Sequence, residues 1–284
     1  MILITGATGN IGSQLVPQLL AKDASLRVIT RDEAKVAHLN PAVERVIGDR
    51  QDAAIVRKAL PGVRQLFLLP ALFDPDHTAD RLIIEEAKRA GVQRIVMISS
   101  AVIRSDSENQ IARSHREIEV LVEESGIPGT FLRPGGFMSN AVLWWAENIK
   151  SQGKVFNPSG DGKSAPISPY DIAAVAAVAL TTSGHEGKTY YLTGPELLST
   201  HDQVRLLSKA IGKPVECIDI PVEVAAARMK SAGVPEALIE ALSRLWIQLR
   251  NGQDYLQNDE VERLTGRPGQ TFETWCYEHR SAFV

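Results

Sequence analysis

The chain has 284 residues, of which 44% are hydrophobic and 23% charged, and a formal net charge of −3. That is ample for one large domain or two interlocked ones, and the mild acidity without long basic runs argues against direct nucleic-acid binding. No uninterrupted apolar stretch reaches the roughly 18 residues of a spanning helix, and Met1 runs straight into a strand pattern. A cytoplasmic chain with no signal peptide and no membrane association is therefore expected.

Apolar runs alternate with amphipathic ones through the first half. Strands are predicted at 2–5, 26–30, 45–47, 65–69, 94–99 and 130–132, with helical patterns between them at 11–21, 78–90 and 111–125. Gly91 and Gly126 follow the last two as C-terminal stops. Such alternation demands parallel strands joined by right-handed crossovers, which gives an α/β fold of the Rossmann type, a doubly wound sheet. Residues 137–166 read as aromatic and irregular. "ISPYDIAAVAAVAL" then reads as a strand end and a helix begun at Asp171, and "KTYYLTG" as one more strand returning to the sheet. From Ser199 onward the pattern is mostly helical. The expected division is a dinucleotide-binding domain over 1–136 and 167–194, and a smaller, mostly helical substrate lobe over 137–166 and 195–284. The two cysteines, Cys217 and Cys276, lie far apart and outside any metal-ligand spacing, so free thiols and no metal are expected.

The loop "GATGNIG" follows the first strand and opens the first helix. In that context Gly6 permits a tight turn, Gly9 removes a side chain where a pyrophosphate would approach, and Gly12 lets helix and strand pack closely. The N–H groups of Thr8, Asn10 and Ile11 at the helix N-terminus complete an anion cradle. The second strand ends "VITRDEAK". Asp32 stands where an acid would hold an unphosphorylated ribose, but Arg31 precedes it and Asp32 is better placed to cap the helix carrying Lys35. Arg31 and Lys35 are expected to hold a 2′-phosphate, so NADP(H) is favoured over NAD(H). After the third strand, Asp49 either accepts from the adenine amino group or caps the next helix. After the fourth, Leu69 and Pro70 either flank adenine and ribose or pack as core.

Together "GATGNIG", "TRDEAK", "SGIPGTFLRPGGFMSN", "DIAAVAAVAL", "GKTYYLTGPE" and "TGRPGQTFETW" resemble the NmrA-like, atypical short-chain dehydrogenase/reductase family, and most closely its bacterial quinone reductase and triphenylmethane reductase branch. The resemblance spans essentially the whole chain. It implies NAD(P) binding and either reduction or non-catalytic sensing of the cofactor. Ordinary short-chain dehydrogenases carry a Tyr-x-x-x-Lys pair, yet no tyrosine precedes Tyr170 and no lysine lies between Lys88 and Lys150. Anchoring on Glu119, which resembles the acid after that pair, puts Ile111 at the tyrosine position and His115 at the lysine position.

Ile111, His115, Ile118 and Val122 share one helical stripe that should face inward. His115 is thus either a core histidine or a ligand to substrate and nicotinamide ribose with proton delivery. Ser99, ending the fifth strand, either adds a hydroxyl there or caps. In "LRPGGFMSN", Pro134 and Gly135 lead to N–H groups near Phe137 that would bind the nicotinamide carboxamide, Gly135 and Gly136 allowing unusual backbone angles. Phe137, Met138, Trp144 and Trp145 are expected to wall a flat, apolar or aromatic small-molecule substrate. The reading is an NAD(P)H-dependent reductase passing hydride to a planar, quinone-like acceptor. The alternative is an NADP(H)-binding regulator with a protein partner, and a homodimer is compatible with either.

Overall fold

The computed structural model describes residues 1–71, 74, 76–253 and 256–284. In chain order the first part runs β1 (Ile2–Thr5), α1 (Gly12–Leu20), β2 (Leu26–Thr30), β3 (Glu44–Ile47), α2 (Ala53–Ala59), β4 (Gln65–Leu68), α3 (Thr78–Arg89) and β5 (Arg94–Ile98). The middle part runs α4 (Val102–Ser105), α5 (Gln110–Ser125), β6 (Gly129–Pro134), α6 (Asn140–Gln152), β7 (Lys154–Asn157), β8 (Lys163–Ser164), α7 (Pro169–Thr181) and β9 (Thr189–Leu192). The last part runs β10 (Leu198–Ser199), α8 (Thr200–Ile211), β11 (Glu216–Asp219), α9 (Val222–Ser231), α10 (Glu236–Arg250), α11 (Glu260–Thr265) and α12 (Phe272–His279). Among the described residues no helix is long and apolar enough to cross a membrane.

Two compact units result. The first comprises Met1–Ser100, Arg113–Pro134 and Pro169–Tyr191. Its seven strands lie in the order β3-β2-β1-β4-β5-β6-β9 and pair in parallel. Strands covered on both faces read as unbroken apolar runs, and Ile2, Leu3 and Ile4 are all buried. On one face Val56 and Ala59 of α2, Ile83 and Ala87 of α3, and Ile118 and Val122 of α5 meet Leu3, Leu66, Leu68 and Met97. Each of the valine, leucine, isoleucine and methionine side chains contributes about 1.5–3 kcal/mol on burial. α1 and α7 pack on each other, and Gln18 Nε2 donates to Tyr170 O at 3.1 Å. α7 starts at Pro169, two residues before the expected Asp171, because proline fits the first helical position. The strand order reverses at β1 and β4, so a ligand crevice is expected at their carboxyl ends.

The second unit comprises Ala101–Ala112, Gly135–Ser168 and Leu192–Val284. Phe272, Trp275, Cys276 and Phe283 pack with Met138 and Ile149 from around α6 and with Val204 and Leu207 of α8. Two small sheets accompany the helices: β7 pairs β11 in parallel, and β8 pairs β10 antiparallel. Ser199 and Asp202 form a reciprocal capping box that starts α8. Residues 101–112 belong to this unit, although the sequence reading left them with the first. Asn109 Nδ2 donates to Ala241 O at 2.9 Å, and Arg244 forks onto Asp106 with both bonds at 2.7 Å, tying the segment to α10.

Residues 137–166 are not the irregular stretch expected, since α6 and β7 occupy much of them. Both cysteines are free thiols. Burial pushes Cys217 up to about 11, with Asp219 adding to it, and burial with Glu273 and Glu196 pushes Cys276 up to about 12.

Candidate functional site

The glycine loop is shaped by contacts inside the first unit. Gly6 adopts φ +67°, and Gly9 N donates to Gly6 O at 3.0 Å, closing the turn. A Cβ on Gly12 would overlap Gly6 O and stand 2.6 Å from Ala7 Cα, so backbone leaves no room for a side chain there. Gly9 differs. A Cβ on it would sit 3.4 Å from Gly6 O, an ordinary contact, and its φ is not positive. The fold itself does not require glycine at position 9. A phosphate lying against the turn would, and in this respect the loop fits a dinucleotide. The N-terminus of α1 has no side-chain cap and no acid in its first turn, so its dipole and N–H groups remain available to an anion.

A cleft of roughly 390 Å³ continues from this loop across the carboxyl ends of β1 to β4. It brings together Gly6, Thr8, Arg31, Lys35, Asp49, Leu69 and Pro70 of the expected cofactor residues, and adds Arg50 and Ala71. Gly9, Asn10, Ile11, Gly12 and Ser99 lie outside this cleft. Arg31 Nη1 lies 4.0 Å from Asp49, and Lys35 Nζ lies 4.0 Å from Asp32. These cations are open, with side chains 81% and 67% exposed. Asp32 Oδ1 accepts from Ala34 N at 3.0 Å, at the start of a short 3-10 turn carrying Lys35. Asp49 Oδ1 accepts from Gln51 N at 2.9 Å, but α2 is capped by Asp52, which accepts from Ala54 N. The alternative of Asp49 as the helix cap is thereby corrected: three further residues are needed before the chain can enter α2. Leu69 does more than line the cleft, because its Cδ2 would lie 2.5 Å from a Cβ on Gly6.

Deeper in the first unit, His115 is buried on α5 beside Ile118 and Val122 of the core, so the inward stripe forms. Next to it on the helix, Glu119 is fully buried. It accepts from Arg133 Nε at 2.9 Å and Nη2 at 2.6 Å, and from Arg116 at 3.1 Å. Burial alone would raise its carboxyl, but these guanidiniums overcome that and hold it below the ordinary range. Arg133 also donates to Tyr191 Oη at 2.7 Å. Ser99 is buried, and its hydroxyl helps to depress Glu119 without reaching hydrogen-bond geometry with any described residue. It therefore faces this charged network and caps no helix.

Pro134 is buried at the end of β6, and Gly135 N donates to Leu192 O. Neither Gly135 nor Gly136 has a positive φ, so the unusual backbone angles expected there do not occur. Phe137 bridges Ile167, while its own N–H makes no hydrogen bond among the described residues. The expected aromatic wall is also corrected. Met138 is buried in the second unit's core, Trp145 packs against that core, and Trp144 is 42% exposed. The physical reason is helical geometry: successive residues of α6 diverge by about 100°, so adjacent tryptophans cannot share a face.

Sequence reasoning missed Arg50. The signal was present in "VIGDRQD", where a basic residue lies three positions past β3, while Arg31 follows β2 directly.

The chain is 39% identical over 287 residues to an NAD(P)H azoreductase of Xenophilus azovorans, spanning 100% of this chain and 99% of that protein. It is 38% identical to a (4-alkanoyl-5-oxo-2,5-dihydrofuran-3-yl)methyl phosphate reductase of Streptomyces griseus, with the same coverages. Its fold superposes on the crystal structure of the NADPH-dependent quinone oxidoreductase QOR2 of Escherichia coli complexed with NADPH. The TM-score is 0.85 at 31% identity, over 99% of this chain and 100% of that one. The NmrA-like family profile matches residues 1–266, and with these full-length relatives it places the chain in the NmrA-like family.

Proposed function

We propose that this protein is an NAD(P)H-dependent reductase that passes hydride to a planar, conjugated, quinone-like small molecule, working in the cytoplasm. The observation that carries the reading is Gly9, a glycine that packing does not require, at the mouth of an uncapped helix. Gly6, Thr8, Gly9, Asn10, Ile11 and Gly12 would hold the pyrophosphate, and Leu69 and Pro70 the adenosine. NADP(H) is preferred over NAD(H), because Arg31 and Lys35 stand open at the cleft while Asp32 Oδ1 is committed to Ala34 N. In the second unit the Phe137 N–H, which makes no hydrogen bond among the described residues, is a donor of the kind a nicotinamide carboxamide would take.

The bound dinucleotide would supply the hydride. The chain's own residues bind, orient and exclude water. A conjugated acceptor spreads the incoming charge over its π-system, so the missing Tyr-x-x-x-Lys pair is no obstacle. His115 is assigned to orient the acceptor and deliver the proton through its ring nitrogens. Ser99, the residue after β5, is assigned to the same space through its hydroxyl, which lies beside Glu119. Within the second unit, Trp144 presents exposed ring surface and Phe137 is half-buried, whereas Met138 and Trp145 act by packing.

The test is purified protein with NADPH or NADH and a panel of quinones, azo dyes, triarylmethane dyes and conjugated carbonyls, followed at the nicotinamide absorbance band. Turnover above background, faster with NADPH, is the expected result. Tight NADPH binding with no turnover on any acceptor would transfer the reading to a cofactor-sensing regulator.

A further inference from the structure

Leu69–Ala71, just after β4, borders the cleft and is fastened at three points. Thr5 Oγ1, fully buried, accepts from Leu69 N at 2.8 Å and donates to Phe67 O at 3.2 Å. Arg50 Nη1 donates to Leu69 O at 2.7 Å, and its Nη2 lies 3.2 Å from Asp80 Oδ1. Asp80, fully buried in the first turn of α3, accepts from Ala71 N at 2.9 Å through Oδ2. One guanidinium and one carboxylate therefore grip the main chain on both sides of Pro70. Leu69, held between Thr5 and Arg50, is the side chain that abuts Gly6 of the phosphate loop.

We propose that Arg50 and Asp80 are a positioning pair that fixes Leu69–Ala71 as the wall of the cofactor cleft, and that Arg50 is thereby withdrawn from phosphate recognition. The inference rests on the cofactor reading above. The cleft has three cations, but they are not equivalent. Arg50 has a nitrogen on Leu69 O and another on Asp80, and its side chain is 18% exposed. Arg31 and Lys35 extend into the open. A 2′-phosphate would meet the latter two, whereas Arg50 acts on adenosine through the backbone it holds. Burial pushes the Asp80 carboxyl up despite Arg50 and the Ala71 N–H, with the Asp74 charge adding to the rise and His77 opposing it.

The experiment is calorimetric titration of the wild type, Arg50→Met, Arg50→Lys and Asp80→Asn with NADPH and with NADH, alongside melting curves. Arg50→Met should raise Kd for both cofactors by the same factor, about ten- to thirtyfold. Arg50→Lys keeps a charge for Asp80 but cannot fork, so it should recover part of the loss equally for both cofactors. Asp80→Asn keeps an acceptor for Ala71 N and should lose about three- to tenfold, again equally. A tenfold loss confined to NADPH would make Arg50 a phosphate ligand and overturn the proposal. Unchanged Kd values with a lowered Tm would reduce the pair to a fold-stabilising contact and overturn it as well. A wild type that binds neither cofactor would instead bring down the cofactor reading, and the clasp with it.

Discussion

Alanine at Gly9 and alanine at Gly12 should separate ligand-driven from packing-driven glycine. At Gly9 the added Cβ meets Gly6 O at 3.4 Å and Leu69 Cδ2 at 4.0 Å, and the backbone is one that alanine adopts. Folding should gain slightly, by about 0.4–1 kcal/mol, through a stiffer unfolded chain. A methyl group in the path of a pyrophosphate should nevertheless cost about 1–3 kcal/mol of overpacking in the complex, roughly a five- to 150-fold rise in Kd for NADPH. At Gly12 the Cβ would overlap Gly6 O and lie 2.6 Å from Ala7 Cα, where ordinary contact begins near 3.4 Å, so strand end and helix start must part by more than an ångström. That should cost about 1–3 kcal/mol in the free protein, with Tm falling by about 2–4 °C for each. Differential scanning fluorimetry reads the first quantity and calorimetry the second. If Gly9→Ala binds NADPH as tightly as the wild type, the physical argument for the cradle is wrong.

Arg31→Ala should weaken NADPH by about 1.5–3 kcal/mol, the scale of a charge-assisted hydrogen bond, and NADH far less; equal losses in titration would take Arg31 out of the phosphate site. His115→Ala should lower kcat/KM roughly ten- to a thousandfold with little change in Tm, and a variant that melts low but keeps its turnover would mark a core histidine instead. Because the folded state holds Glu119 below its ordinary value, the stability this group adds is complete above about pH 4.5 and is lost as pH falls through the lowered folded value. Glu119→Gln should accordingly lose about 1.5–3 kcal/mol at neutral pH and show a flatter acid limb; parallel curves of Tm against pH for the two proteins would contradict the assignment.

The sheet was legible because parallel strands covered on both faces carry unbroken apolar runs, and all six predicted strands in the first half begin within a residue of those observed. The glycine loop was legible because Gly6 and Gly12 are demanded by local backbone geometry, which a short motif encodes. The α6 segment was not. Phe137 and Met138 just before it and two adjacent tryptophans within it show no clean periodicity, and the aromatic residues drew attention to composition at the expense of the 3.6-residue repeat. Arg50 escaped for another reason: its partner Asp80 is thirty positions away, and no spacing rule links the end of one strand to a helix beyond the next. The residues 101–112 were misassigned likewise, since Asp106 meets Arg244 only through tertiary packing.

The two suppressed thiols bear on the acceptor chemistry. Quinones are electrophiles as well as oxidants, and they are attacked by thiolate far more readily than by thiol. With Cys217 held at about 11 and Cys276 at about 12, neither has more than about one thiolate in ten thousand at pH 7. A protein that repeatedly gathers quinone-like molecules would therefore offer them a reductant without offering a nucleophile, and should survive many turnovers without alkylating itself.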